Sequence, residues 1–266
     1  MEIAIIFLLV LSTIFLAELL NSRWQNFLIY RRRKGFEQHE PYFRKLISSN
    51  IRYFNKVDEA TQHKWLFRAY LFFRSKKFHY VGVERKDEMP VLISATAAQL
   101  TLGLENFSLN YFRDIYVLQH DYHYGYYSLP FVGHVDSSGI YLSWHAFLEG
   151  IRSAHDSSNV GLHEMAHALA YVNFITRTDE DRHFKKEFHN FSRVARPIFQ
   201  DMQRGRKTIL GEYAATNYHE FWAVCVEVFF ENSVRFRHDL PELYDAMVRL
   251  LRQDPYKVLV SHLAAA

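Results

Sequence analysis

The sequence predicts a mainly helical α+β domain with a small sheet, preceded by one transmembrane helix. Three observations lead there. Apolar residues recur at helical spacing in several stretches, an alternation of period two appears only in short ones, and residues 3–20 form an apolar run. A length of 266 residues with 49% hydrophobic content allows one sizeable core, or one domain plus a membrane segment. Six Pro and ten Gly argue against a linker-rich or disordered chain. A net charge of +3, with no basic helix carrying interleaved aromatics, argues against nucleic acid as a partner. The single cysteine, Cys225, excludes an internal disulfide and a thiol-ligated metal site.

The run over 3–20 is interrupted only by Glu18 near its end and is just long enough to span a bilayer. Glu2 precedes it and no A-x-A-like site follows, so it reads as an anchor rather than a cleaved signal peptide. Arg23 and the cluster Arg31-Arg32-Arg33-Lys34 lie on its far side, with Trp24 and Tyr30 as interfacial aromatics. The positive-inside rule then places the bulk of a single-pass membrane protein on the cytoplasmic side. The expected organisation is an anchor over 1–22, a basic juxtamembrane segment over 23–40 and a folded domain over 41–266. The basic cluster itself reads as topology and lipid headgroup contact.

Helical periodicity begins with Phe43, Leu46, Ile47 and Ile51 and returns from Ala60 to Arg74 with Trp65, Leu66, Ala69, Tyr70 and Phe73. Phe78 to Val83 reads as a short strand, and Pro90 to Leu102 as a buried helix with Glu84, Asp87 and Glu88 at its solvated start. No titratable cluster appears in this half, which marks it as scaffold. Tyr111 to Leu118 and Gly139 to Trp144 read as strands, the second preceded by the turn residues Asp136-Ser137-Ser138-Gly139. A sheet edge here would let an extended peptide add as a further strand, though an ordinary sheet member fits the pattern equally. His120, His123, His134, His145 and His155 fall in this region without helical pairing and read as surface or supporting histidines.

The chemistry centres on Gly161-Leu162-His163-Glu164-Met165-Ala166-His167-Ala168-Leu169. Leu162, Met165, Ala166, Leu169 and Val172 form an apolar stripe at helical spacing, and Asp156 to Asn159 offer N-cap candidates. His163 and His167 therefore share one helix face and can point nitrogens at one ion, with Glu164 beside them free to reach a bound water. This is the HExxH signature of zinc peptidases. Such a site takes three protein ligands and keeps one position for water, so a further donor is needed downstream. The metzincin pattern would require Gly and His where the chain has Ala170 and Asn173. Thr178 to Arg206, with Phe184, Phe188, Phe191, Ala195, Phe199 and Met202, reads as a packing helix. A second, unusually apolar helix covers Gly211 to Glu231, with Glu212, His219 and Glu220 as candidate donors. His219 points about 100° away from Glu220 on that helix, and Glu212 precedes it.

HExxH followed by Tyr213-Ala214-Ala215, then Glu220-Phe221-x-Ala223-Val224 with Glu227 and Phe229-Phe230, resembles the Mlc titration factor A family of zinc-dependent peptidases. A weaker flanking likeness runs from about Pro41 to Asp254-Pro255. Tyr213 and Glu220, seven residues apart, are also similar to the active site of the anthrax lethal factor catalytic domain. The resemblance implies a zincin-like, gluzincin-type domain over 41–266. It implies one Zn2+ held by His163, His167 and Glu220, with Glu164 as general base and Tyr213 beside the metal as a donor to the developing oxyanion. Glu227, two turns after Glu220 on nearly the same face, is a candidate to orient a liganding histidine. The expected function is a membrane-anchored zinc metallopeptidase acting on a peptide or protein. The alternative is a regulatory binding module of the same fold that sequesters a cytoplasmic protein. The anchor is a departure from the family's soluble members, so their partner, the transcriptional repressor Mlc, is not carried over.

Overall fold

The computed structural model describes residues 32–123, 130–153, 158–177 and 180–265. Helix α1 covers residues 32–50, and the chain divides into two compact units between Tyr42 and Phe43. Everything that bears on the site lies in the second unit. Its order is α2 (Glu59–Ser75), β1 (Lys77–Val81), α3 (Glu88–Thr101), β2 (Asp114–Leu118), β3 (Gly133–Asp136), β4 (Gly139–Ser143), α4 (Trp144–Arg152) and α5 (Val160–Phe174). Then follow α6 (Arg182–Gln203), a 3-10 turn (Glu212–Ala215), α7 (Tyr218–Glu231), α8 (Ser233–Asp239), α9 (Pro241–Leu251) and α10 (Pro255–Ala265). The mainly helical α+β architecture with a small sheet is thus what the chain adopts.

The sheet has the order β1-β2-β4-β3, with β1, β2 and β4 parallel and β3 antiparallel to β4, so β3 forms one edge. Alternation sends Ile115, Val117, Ile140 and Leu142 into the core, all fully buried. The opposite face carries rings: His79, Tyr116, Tyr141 and His134 sit side by side on the four strands, with successive centroids 4.7, 4.4 and 4.2 Å apart. Asp136 closes the β3–β4 hairpin by accepting hydrogen bonds from the backbone N–H of Ser138 (2.7 Å) and Gly139 (3.3 Å).

Three helices make the interior. Every residue of α3 from Met89 to Thr101 is buried, and α5 and α7 are buried along most of their length. The Trp222 indole of α7 donates to the Ala166 carbonyl of α5 (2.9 Å), fixing those two helices together. Helix α6 lies over this pair, its Phe184, Phe188 and Phe191 rings set edge-on to Trp222. Asp181 caps α6 at Phe184 N–H (2.9 Å) and also accepts from Glu105 and Asn106 N–H (2.9 and 3.2 Å).

The expected transmembrane helix, and with it the single-pass membrane location, is corrected: among the described residues no helix is long and apolar enough to cross a membrane. The most apolar helices, α5 and α7, have only 15 and 14 residues, against about 20 needed to span, and their buried faces pack on each other. Residues 3–20 themselves lie outside the described residues. The sequence reading also passed over β3, α4 and the three C-terminal helices. Trp144, which the sequence pattern places at the end of a strand, is the first residue of α4, because the Ser143 hydroxyl caps Ala146 N–H (3.3 Å) and turns the chain into a helix. Gly211 to Glu231 is not one helix. Gly211 takes a positive φ of 73°, the 3-10 turn follows, and Asn217 restarts the chain as the N-cap of α7.

Candidate metal centre

Local chemistry fixes the start of each helix that carries the site. On α5 the Asn159 side chain accepts from Leu162 N–H (3.0 Å), which places His163 in the first turn and His167 in the next. On α7 the Asn217 side chain accepts from His219 and Glu220 N–H (2.9 and 3.0 Å), which holds Glu220 in the first turn. These two helices bring the three side chains together. His163 Nε2 lies 3.0 Å from His167 Nε2 and 2.9 Å from Glu220 Oε2, and His167 Nε2 lies 3.5 Å from the same oxygen. All candidate donor atoms of the trio fall within 4.8 Å of one another, so the trio could hold a metal ion. The fit is good: a tetrahedral ion with bonds of about 2.0–2.1 Å separates its ligand atoms by roughly 3.3 Å. The observed separations bracket that value.

Glu227 stands behind His163. Its Oε1 accepts from Nδ1 at 2.6 Å, leaving Nε2 facing Glu220 and His167, and its Oε2 accepts from Asn159 N–H at 2.5 Å. The Asn159 amide donates onward to Glu231 (2.8 Å) and to the Gly150 carbonyl (3.3 Å). One buried asparagine therefore ties the cap of α5 to two carboxylates of α7. Sequence reasoning saw Asn159 only as a cap; its long-range bonds have no local signature.

Glu164 is buried beside the trio but does not join it. It packs on Gly133 of β3 so closely that a Cβ there would lie 2.6, 2.7 and 2.9 Å from its Cγ, Oε1 and Cδ. Its Oε2 is buried without a hydrogen-bond partner among the described residues. Tyr213, in the 3-10 turn, is 59% exposed, and its ring centroid lies 6.0 Å from that of His163. The other candidates do not join the cluster. Glu212 is exposed and 3.6 Å from Lys207, while His219 is exposed and lines the cleft without joining the trio. None of His120, His123, His134 and His145 belongs to a metal-type cluster among the described residues, and His155 lies outside them.

The electrostatics follow from burial opposed by contact. Burial works against the His163 imidazolium, but hydrogen bonds to Glu220 and Glu227 outweigh it and push its pKa up to about 10. Burial likewise resists ionisation of Glu220, yet the two histidines hold its carboxyl well below the usual range. For Glu164 burial wins: it outweighs the opposing pull of His163 and, with Glu220 and Glu227 adding to it, pushes the carboxyl up to about 8. Burial, then Glu220, raises Tyr213.

A cleft crosses the trio in two lobes of about 500 and 620 Å3, both touching Phe131, Gly133, His163, Glu164, Tyr213 and Glu220. The first is walled by Val135, Ala170, Tyr171, Phe174, Phe188 and Trp222, and the second adds Ser158, Thr216 and Asn217.

With two imidazoles, a carboxylate and a neighbouring buried glutamate in one cleft, comparison with known proteins has a site to match. The chain is 21% identical over 254 residues to the uncharacterized protein slr2042 of Synechocystis sp. (strain ATCC 27184 / PCC 6803 / Kazusa), covering 87% of this chain and 91% of that one. The model of the glucose-regulated metallo-peptidase M90 family matches residues 27–252, a span that holds every residue of the trio. Since the match takes in most of the chain, the protein belongs to the M90 family of glucose-regulated metallo-peptidases.

Proposed function

We propose that the chain is a gluzincin-type zinc peptidase, its peptidase domain over 41–266, in which His163, His167 and Glu220 hold one zinc ion. Glu164 acts as general base and Tyr213 as a donor to the oxyanion. The observation that carries this reading is the convergence of two imidazole nitrogens and one carboxylate oxygen with Glu164 held apart from them. Bound zinc would polarise the scissile carbonyl and acidify a water. The residues do the rest. Glu227 fixes the orientation of the His163 ring through Nδ1. Glu164, immobilised against Gly133, accepts the water's proton on its carboxylate and returns it to the leaving amine. The Tyr213 hydroxyl, at the open side of the cleft, donates a hydrogen bond to the carbonyl oxygen as charge builds there. The edge of β3 offers backbone groups to an extended peptide.

The test uses the purified chain with zinc content and peptide hydrolysis measured together. Glu164→Gln is expected to keep one zinc and lose about 10²- to 10⁴-fold in turnover, whereas His163→Ala loses both. Full turnover by the Gln variant would remove Glu164 from the mechanism.

A further inference from the structure

The two lobes of the cleft differ in charge. Arg196 lines the first lobe, and among the described residues no lysine or other arginine lines either one. Glu164 and Glu220 border both lobes, and the second adds Glu227, so it holds carboxylates and no permanent cation. Helix α6 puts the cation in place. Phe188, Ser192 and Arg196 are four residues apart on α6 and all line the first lobe, so one face of that helix forms a wall that is apolar at Phe188 and ends in a guanidinium.

That guanidinium is oriented by an aromatic plate. Its carbon stands 5.6 Å from the centre of the Tyr218 ring. The Tyr218 ring lies parallel to that of Phe221 (5.9 Å, 4°), and Phe199 meets both edge-on (5.5 and 5.7 Å). Phe221 is fully buried, which anchors the plate in the core. Tyr218 also opens α7 two residues before Glu220, so plate and metal-type trio share one helix. A contact with a ring face leaves the N–H donors of arginine available, and among the described residues no carboxylate pairs with Arg196, which is exposed.

Resting on the peptidase reading above, we infer that Arg196 selects substrates that bring a carboxylate into the first lobe, from an Asp or Glu side chain or from the free C-terminus of a short peptide. The planar guanidinium matches a carboxylate with two parallel hydrogen bonds, and its charge is constant at any working pH. The trio sits among carboxylates, so Arg196 is the group in the cleft that draws an anionic substrate toward it. Solvent screening at an exposed arginine limits the gain to roughly five- to tenfold in kcat/KM at low salt.

The experiment follows cleavage by the zinc-loaded chain at low salt, with products read by mass spectrometry, on two sets of peptides. One set exchanges Asp for Asn at a single position at a time, and the other compares a free C-terminal carboxylate with its amide. Expected is a preference of roughly five- to tenfold for the carboxylate form in at least one set, and that set names the source. Arg196→Gln should remove the preference, Arg196→Glu should turn it toward the uncharged form, and Arg196→Lys should keep only part of it. Each readout is a ratio within one preparation, so a variant's lower stability does not enter it. No preference in either set, or one that survives Arg196→Gln, overturns the inference while the peptidase reading stands. If no peptide is cleaved at all, the peptidase reading fails, and calorimetry of the same peptide pairs on Glu164→Gln, with and without Arg196→Gln, decides the pocket. Tighter binding of the carboxylate form that Arg196→Gln removes upholds it, and any other pattern overturns it.

Discussion

Gly133→Ala isolates the placement of the proposed base from everything else in the site. A methyl group at this position would come within 2.6 Å of Glu164 Cγ and 2.7 Å of its Oε1, where ordinary contact begins at 3.4 Å. Glu164 must therefore retreat by about 0.8 Å, and displacements near 1 Å from a productive geometry cost about 10²-fold, or about 2.7 kcal/mol in the barrier. The three atoms nearest to the added carbon all belong to Glu164 and none to His163, His167 or Glu220, so zinc content should not change. Crowding in a packed region costs about 1–3 kcal/mol of stability, a fall of some degrees in Tm. The assay is kcat/KM on one good peptide, with metal analysis and a thermal melt on the same preparation. Unchanged kcat/KM, or activity lost only in proportion to zinc, would refute the argument that Gly133 is glycine to seat Glu164.

Glu227→Gln weakens the acceptor behind His163 and should lower zinc affinity about 10- to 100-fold in a chelator competition, and unaltered affinity would show that the 2.6 Å contact does not tune the metal. Stripping zinc from the wild type should abolish turnover and lower Tm, with readdition at 100 times Kd returning about 2.7 kcal/mol; turnover that survives chelation counts against the zinc assignment. Asp181→Asn should destabilise the fold by about 1–3 kcal/mol, because three backbone N–H groups lose a charged acceptor. Burial tends to raise the Asp181 pKa, but those bonds outweigh it and hold the carboxyl below its ordinary 3.8. A depressed folded-state pKa contributes stability above the unfolded value that fades as pH falls through the folded one. The gap in denaturation midpoint between wild type and variant should thus be constant above about pH 5 and shrink below it, and a gap independent of pH would exclude a role for the charge.

What local rules govern is legible in the sequence. The helices α2, α3, α5 and α6 follow from apolar periodicity, and the His163–His167 geometry follows from four-residue spacing on one of them. Strand β3 escaped notice because four residues hold too little alternation to register, and α4 because Trp144 suits a strand as well as a helix start. The need for a downstream donor made Glu212, His219 and Glu220 candidates, but only the family resemblance singled out Glu220, since no spacing rule links residues 167 and 220. Gly133 against Glu164, and Asn159 against Glu227 and Glu231, are contacts between elements far apart in sequence. They arise from how helices and sheet pack, and no single stretch carries them.

The row of rings across the sheet has a mechanical consequence. Centroid separations of 4.2 to 4.7 Å are close to the natural spacing of about 4.8 Å between hydrogen-bonded strands, so His79, Tyr116, Tyr141 and His134 interlock like teeth on a rack. A slip of β3 by one residue would invert its side chains and break the His134–Tyr141 stack, besides carrying Gly133 off Glu164. The outer surface of the sheet thereby acts as a clamp on alignment, guarding the depth to which the inner surface seats its carboxylate.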